Sequence, residues 1–234
     1  MKILGIDSSG LVASVAVAEE EQLVAEYTVN YKKTHSQTLL PMLDEIAKMV
    51  ELDLNTIDAI AVAAGPGSFT GLRIGSATAK GLGLALQKPL IAIPTVEGIA
   101  CNLWGTDKLI CPMMDARRNQ VYTGLYEFEG DTLKVIEDQM AVSVDELAEK
   151  INHYSREVIF LGDGVPVYKE ILKEKLSVGY SFAPPHMARQ RAGALAWRAF
   201  SYAKEGKIQT AREHQPDYLR LSQAERERAE RKNK

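Results

Sequence analysis

The sequence predicts an α/β protein of two related lobes, and three observations carry that expectation. A strand, loop and helix unit runs over residues 57–87: a β-branched run, a turn holding Gly65, Pro66, Gly67 and Gly71, then a long apolar helix. Residues 2–29 read as an apolar strand ending in an acid, then turn, strand, turn and strand. The same pattern returns over residues 109–137, and such a repeat suggests two related lobes joined near residue 106.

Taken in order, residues 2–7 (KILGID) form the first strand and Ser8-Ser9-Gly10 a turn. Residues 11–18 and 23–29 are two further strands of a meander. Asp7 admits two readings: it helps orient a metal-bound water at a phosphate site, or its carboxylate accepts backbone amides of the following turn. Taken alone, it fits the second. Thr34 and Ser36 are N-cap residues for a helix reaching about Glu51. Its stripe of Leu39, Leu43, Ile46 and Val50 is flanked by Leu40 and Ala47 on one side and by Met42 and Met49 on the other. That arc covers about 180°, where about 100° serves one core face. The surplus reads either as a contact surface, to which methionine adapts well, or as a helix wedged between sheet and neighbouring helix. His35, at the helix start, reads as a solvated or hydrogen-bonded imidazole.

The glycine turn calls for positive φ or for backbone pressed against another body, and its amides, with a helix beginning near Thr70, could also hold an anion. Gly71 is followed by Leu72 and Arg73, so this is not a nucleotide P-loop. Along the helix, Arg73, Ser76, Lys80 and Gln87 share one narrow polar stripe, leaving about two-thirds of the circumference apolar or small. Gly71, Gly75, Ala79 and Gly83 recur every fourth position, at about 0.8–1 kcal/mol per interior glycine. The smooth face so formed reads as tight packing on the chain's own sheet or as part of a subunit contact.

A strand at 90–93 and a helix at 95–105 follow, then the second copy: strand 109–115, turn 116–119, and strands 120–127 and 132–137. Ser143 and Glu146 make a capping box for a helix to about Asn152, and residues 158–161 are a buried strand. Gly162-Asp163-Gly164 turns into another helix, and Ala183-Pro184-Pro185 breaks the chain before a last helix over 189–204. The charged run at 223–234 largely balances acids and bases and reads as a solvated helical or frayed tail in preference to an RNA-binding one.

Composition narrows the function. The chain has 234 residues, enough to bury a core in one large domain or two modest lobes. No apolar run approaches the roughly 20 residues that span a bilayer, and residues 1–7 lack the apolar region of a signal peptide, so a cytoplasmic protein is expected. With 28 Lys plus Arg against 31 Asp plus Glu, there is no basic excess for gripping RNA unaided. Cys101 and Cys111 fall outside any Cys-x-x-Cys spacing and read as reduced, buried residues. His35, His153, His186 and His214 show no zinc-ligand spacing.

Four segments together resemble the TsaB family, also called YeaZ. They are KILGID followed by Ser8-Ser9, the helix start at 36–41 (SQTLLP), the block at 65–75 (GPGSFTGLRIG), and residues 216–220 (PDYLR). The resemblance covers essentially the whole chain, and the glycine-proline-glycine block is its most specific part. It implies the ASKHA fold of actin, sugar kinases and Hsp70, with two RNase H-like lobes. Residues 1–105 would be the N-terminal lobe bearing the docking helices. Residues 106–234 would be a reduced C-terminal lobe with a C-terminal helix and the charged tail. It also implies a non-catalytic role in making tRNA threonylcarbamoyladenosine, as partner of a TsaD-like catalytic paralogue and alongside a TsaE-like P-loop ATPase. Contact with tRNA would come only through the complex, without a cofactor, and the chain could form a homodimer in isolation.

On that resemblance the partner-facing residues are Leu39, Met42, Leu43, Ile46, Met49, Gly71, Ile74, Gly75, Thr78 and Leu82, and a vestigial nucleotide loop is formed by Asp7, Ser8, Ser9, Gly65 and Gly67. TsaD-like enzymes carry a His-x-x-x-His metal pair after the strand that follows the glycine-rich helix. Thr95 and Ile99 stand in those places here, and isoleucine cannot coordinate a metal. Glu97 remains from that motif and reads as a first-turn acid complementing the helix dipole. In the second lobe Asp115 is followed by Ala116-Arg117-Arg118-Asn119-Gln120, with no glycine to let a phosphate approach. The competing readings are an ATP-dependent enzyme acting alone through Asp7, Ser8 and the 65–71 loop, and a metallopeptidase.

Overall fold

The structure, a computed structural model, describes residues 1–31 and 33–220, so the charged run at 223–234 lies outside the described residues. The chain starts with the meander β1 (Lys2–Asp7), β2 (Ala13–Glu19) and β3 (Gln22–Val29), followed by α1 (Leu39–Met49), β4 (Ala59–Gly65), α2 (Phe69–Leu86), β5 (Leu90–Pro94) and α3 (Thr95–Ala100). It then repeats the path with β6 (Leu109–Asp115), β7 (Gln120–Glu129), β8 (Thr132–Ser143), α4 (Val144–Tyr154), β9 (Val158–Leu161), α5 (Val165–Lys175), β10 (Tyr180–Phe182) and α6 (Ala192–Lys204). The first sheet is ordered β3-β2-β1-β4-β5, and the second, β8-β7-β6-β9-β10, matches it strand for strand. In both, the meander is antiparallel and the last two strands run parallel to the first.

Strand β4 is buried along its whole length, as helices on both faces of a sheet require. Alternation along β1 sorts its side chains between two cores. Leu4 and Ile6 join Val15, Val17, Ile60 and Val62 beneath α1 and α2, to which α1 contributes Leu39, Met42, Leu43 and Ile46. Ile3 faces the opposite way, with Ala61, Ile91 and Ile93, against Leu195, Ala196 and Ala199 of α6. Helix α3 makes the reciprocal exchange: Val96, Ile99 and Ala100 pack with Ile110, Met114, Tyr126 and Leu161 of the second sheet. Each lobe's last helix therefore covers the other lobe's sheet. The expected boundary at 105/106 lies between the two sheets, and α3 and α6 each pack across it.

Where these helices cross, Arg198 Nε donates to Glu97 Oε2 at 2.7 Å and the Tyr202 hydroxyl donates to Oε1 at 3.0 Å. The side chains of Arg198 and Glu97 are 7% and 8% exposed. Glu97 does lie in the first turn of α3, yet its carboxylate serves as the brace to α6 rather than as a solvated complement to the dipole.

Local chemistry explains most element boundaries. The Ser143 side chain accepts from the Glu146 amide while Glu146 accepts from the Ser143 amide, the reciprocal cap expected at α4. Helix α6 starts at Ala192 rather than 189, because Arg191 is extended, with its guanidinium bonded to Glu26 and the Ala192 amide bonded to Ser14 Oγ. Strand β8 continues to Ser143, six residues beyond the expected end, because it stays paired with β7 as far as Gln120.

The brace gives a direct expectation. Arg198→Met leaves a buried carboxylate without its counter-ion and should lower unfolding free energy by about 3–5 kcal/mol, whereas adding Glu97→Gln should recover much of that loss. Urea denaturation of the two variants measures both effects.

Candidate functional site

Two places collect the motif residues: the cleft between the lobes, and the outer faces of α1 and α2. At the cleft the β1–β2 turn folds onto the start of α2. Asp7, 1% exposed, accepts from the Ser9 amide at 2.9 Å and from the Ser9 hydroxyl at 2.6 Å. The Ser8 hydroxyl donates to the Gly71 carbonyl at 2.8 Å, and the Ser68 amide donates to the Ser9 carbonyl at 2.6 Å. Of the two readings of Asp7, the turn-capping carboxylate describes these contacts. Gly67 and Gly71 are small because carbonyl oxygens of Ser9 and Ser8 lie where their Cβ atoms would be. His35 is hydrogen-bonded through Nε2 to the Gly10 carbonyl at 2.8 Å.

The second lobe contributes Asp115, Ala116, Arg117, Tyr122 and Asp163 to the same cleft, whose volume is about 660 Å³. Asp163 Oδ1 accepts from the Asp115 amide, and burial raises the Asp163 carboxyl above its ordinary range. Asp115 Oδ1 accepts from the Arg117 amide at 2.8 Å and from the Tyr168 hydroxyl at 2.9 Å. The hairpin that follows holds three non-glycine residues in the left-handed region, Arg117, Arg118 and Asn119, with φ of 62°, 57° and 56°. Such a run is costly for L-residues, about 1–2 kcal/mol each. Residues 217–220 form the remaining wall. In sequence residues 216–220 show only as a motif, because their place in the cleft is set by contacts with distant residues.

The helix faces are distributed differently from the expectation. Leu39, Met42, Leu43 and Ile46 are 2–5% exposed and belong to the chain's own core. Gly71 and Gly75 are buried against Ser8, and Gly83 against Leu90 and Lys88, so the glycine stripe packs on the chain's own sheet and loops. Six of the ten expected contact residues, Leu39, Met42, Leu43, Ile46, Gly71 and Gly75, are thus covered from within the chain. Ile74, Thr78 and Leu82 are half-buried, and Met49 is 83% exposed. The outward residues are instead Leu40, Pro41, Asp44, Glu45 and Lys48 on α1, beside Met49, and Arg73, Ala77, Gly81, Leu84 and Ala85 on α2. Two polar residues of the α2 stripe turn the other way. Ser76 is buried, and the Lys80 ammonium donates to the His214 carbonyl at 2.9 Å. Beyond Arg73, small and apolar residues of α2 thus face outward where charge is the norm, while α1 keeps Asp44, Glu45 and Lys48 on its outer face.

Thr95 and Ile99 are fully covered, Ile99 within the apolar core under the second sheet. Among the described residues, no group of three or more His, Cys, Asp or Glu side chains is placed to hold a metal ion. Among the same residues, no helix is long and apolar enough to cross a membrane. Cys101 and Cys111 are free and buried, and burial pushes the Cys111 thiol up to about 12.

Burial pushes the Asp7 carboxyl up to about 6, against the pull of the Ser9 hydroxyl and amide. Its ordinary value is 3.8, so between about pH 4 and 6 the folded chain holds a proton that the unfolded chain has released. Stability from this group is full below the lower value and is lost as pH rises through the upper one. Asp7→Asn keeps an acceptor for Ser9 and should raise stability above pH 7 by up to about 3 kcal/mol, with little change near pH 4. Thermal unfolding followed from pH 4 to 8 checks the sign.

Comparison with known proteins places this architecture. The family model described as "TsaD: tRNA N6-adenosine threonylcarbamoyltransferase" matches residues 22–228. The tRNA threonylcarbamoyladenosine biosynthesis protein TsaB of Bacillus subtilis is 35% identical over 96% of this chain and 96% of its own length. The structure of YeaZ from Pseudomonas aeruginosa superposes with a TM-score of 0.79 at 25% identity, covering 93% of this chain and 99% of that one. An ROK hexokinase from Thermus thermophilus, at 12% identity, shares the fold alone, with a TM-score of 0.50 over 88% of this chain and all of that one. The fold is the ASKHA arrangement, and the chain belongs to the TsaB (YeaZ) family of tRNA threonylcarbamoyladenosine biosynthesis proteins, within the span of the TsaD family model.

Proposed function

We propose that this protein is a non-catalytic subunit of the tRNA threonylcarbamoyladenosine machinery, working in the cytoplasm by docking on a TsaD-like enzyme through the outer faces of α1 and α2. One observation carries the reading: α2 sends Ala77, Gly81, Leu84 and Ala85 outward while Ser76 and Lys80 are held inward. Leu84 is 56% exposed, and on α1 Leu40 is 53% and Met49 83% exposed. Apolar area left this way is worth about 25 cal/mol per Å² when a partner covers it, before association costs are subtracted. A smooth lane of small residues suits a helix from another chain, because small residues let backbones approach, and an exposed methionine such as Met49 adapts to what covers it.

The burial of Thr95 and Ile99 supports the absence of catalysis, since neither side chain meets solvent or a cleft at the place where the catalytic relatives are expected to bind metal. In this reading a TsaE-like ATPase joins the same assembly, tRNA is met through the complex, and a second copy of the chain occupies the same lane when the catalytic partner is absent.

The residue that tests the lane is Gly81, not Gly75. A Cβ at Gly75 would meet the Ser8 hydroxyl, so a bulky residue there tests folding, whereas nothing lies within 4 Å of a Cβ at Gly81. Gly81→Trp and Leu84→Asp should each keep the thermal unfolding of the parent chain and weaken binding to the TsaD-like partner at least about tenfold, as loss of an interface centre does. Co-elution with that partner at parental affinity for both variants would sink the proposal.

A further inference from the structure

The fold class implies a nucleotide with Mg²⁺ between the lobes, and the residues here do not fit one. The places that Gly67 and Gly71 leave open are filled by carbonyl oxygens of Ser9 and Ser8, and both serine hydroxyls are bonded within the chain. Across the cleft, the hairpin at 117–119 presents three side-chain-bearing residues in the left-handed region.

What spans the lobes is the chain's own C-terminal segment. On the first lobe, the Asp217 amide donates to the Ala64 carbonyl at 2.7 Å, extending from the end of β4. Gly65, with φ of 130°, has no room for a Cβ because the Asp217 carbonyl occupies that position. The Tyr218 ring lies 4.7 Å from the Phe69 ring, centre to centre, and the Arg73 guanidinium covers Phe69 at 4.0 Å. On the second lobe, Gln139 Nε2 donates to Asp217 Oδ2 at 2.6 Å, and Arg220 donates to the Ala116 carbonyl at 3.0 Å. One short segment is thus bonded to both lobes at once, and its Asp217 holds both ends of that bridge.

We propose that residues 216–220 are an internal clamp that takes the place of an interlobe ligand and, with the α3–α6 crossing as the hinge, holds the cleft at one opening without a nucleotide. This does not rest on the docking proposal: it concerns the opposite end of α2 and would stand if that surface bound nothing. A clamp tied at both ends restricts opening in the way a bound ligand does, by making the closed arrangement lower in free energy than any open one.

The test measures the distance between spin labels, one on each lobe, in the full chain. Glu21→Cys and Glu174→Cys place labels on exposed positions, and the native Cys101 and Cys111 are buried away from the reagent. The parent should give one narrow distance that Mg²⁺-ATP does not change. Arg220→Ala and Gln139→Ala, each cutting an anchor on the second lobe while leaving both cores intact, should lose that single narrow peak and shift to longer, broader distances. The proposal is overturned if both variants keep the parental distribution, or if Mg²⁺-ATP saturably shifts the parent.

Discussion

The crossing of α3 and α6 is the constraint on which the rest of the molecule depends. Each helix belongs to one lobe by chain order and to the other by packing, so the lobes cannot separate without exposing both apolar faces. The helices approach closely at Gly98, where a Cβ would lie 3.2 Å from Leu195. Apolar contact is non-directional, and by itself it would tolerate sliding. The Glu97–Arg198–Tyr202 bonds are directional and lie where water is excluded, which strengthens them. A buried ion pair adds little net stability over apolar side chains of similar volume. Its contribution here is geometric, fixing the register of α3 against α6.

That geometry accounts for how the first lobe distributes its helices. With α6 covering one face of the first sheet, α1 and α2 are both left to the other face, where their buried stripes share one core. The glycine ladder of α2 lets the helix settle on the β1–β2 turn, and the serines that could have faced a phosphate hold that turn instead. Close internal packing on one side of α2 and a bare small-residue lane on the other are two outcomes of the same spacing.

Much of this was legible in the chain alone, for reasons of range. The meanders, the capping box and the glycine turn depend on residues within a few positions of one another, and the two copies repeat one order of strands and turns. The faces of α1 and α2 were harder. Periodicity finds an apolar arc but does not say which part the chain itself will cover, so Leu43 and Met49 look alike in sequence and differ from 5% to 83% in exposure. Strand β10 has three residues, too few for a two-residue period to register. The brace was out of reach: Glu97 and Arg198 are 101 positions apart, and a lone acid in a helix's first turn has an ordinary local explanation. Tyr218 was visible only as part of a motif, because its ring partner Phe69 belongs to the other end of the chain.

The exchange of last helices also bears on how the protein is made. Ile3, Ala61, Ile91 and Ile93 gain their cover from a helix that ends at Lys204, so a nascent chain leaving the ribosome carries an unroofed first sheet until α6 has been synthesised. The N-terminal half can form its strands early, but it must wait for its lid. During that interval the bare side of the sheet is the surface most in need of a chaperone.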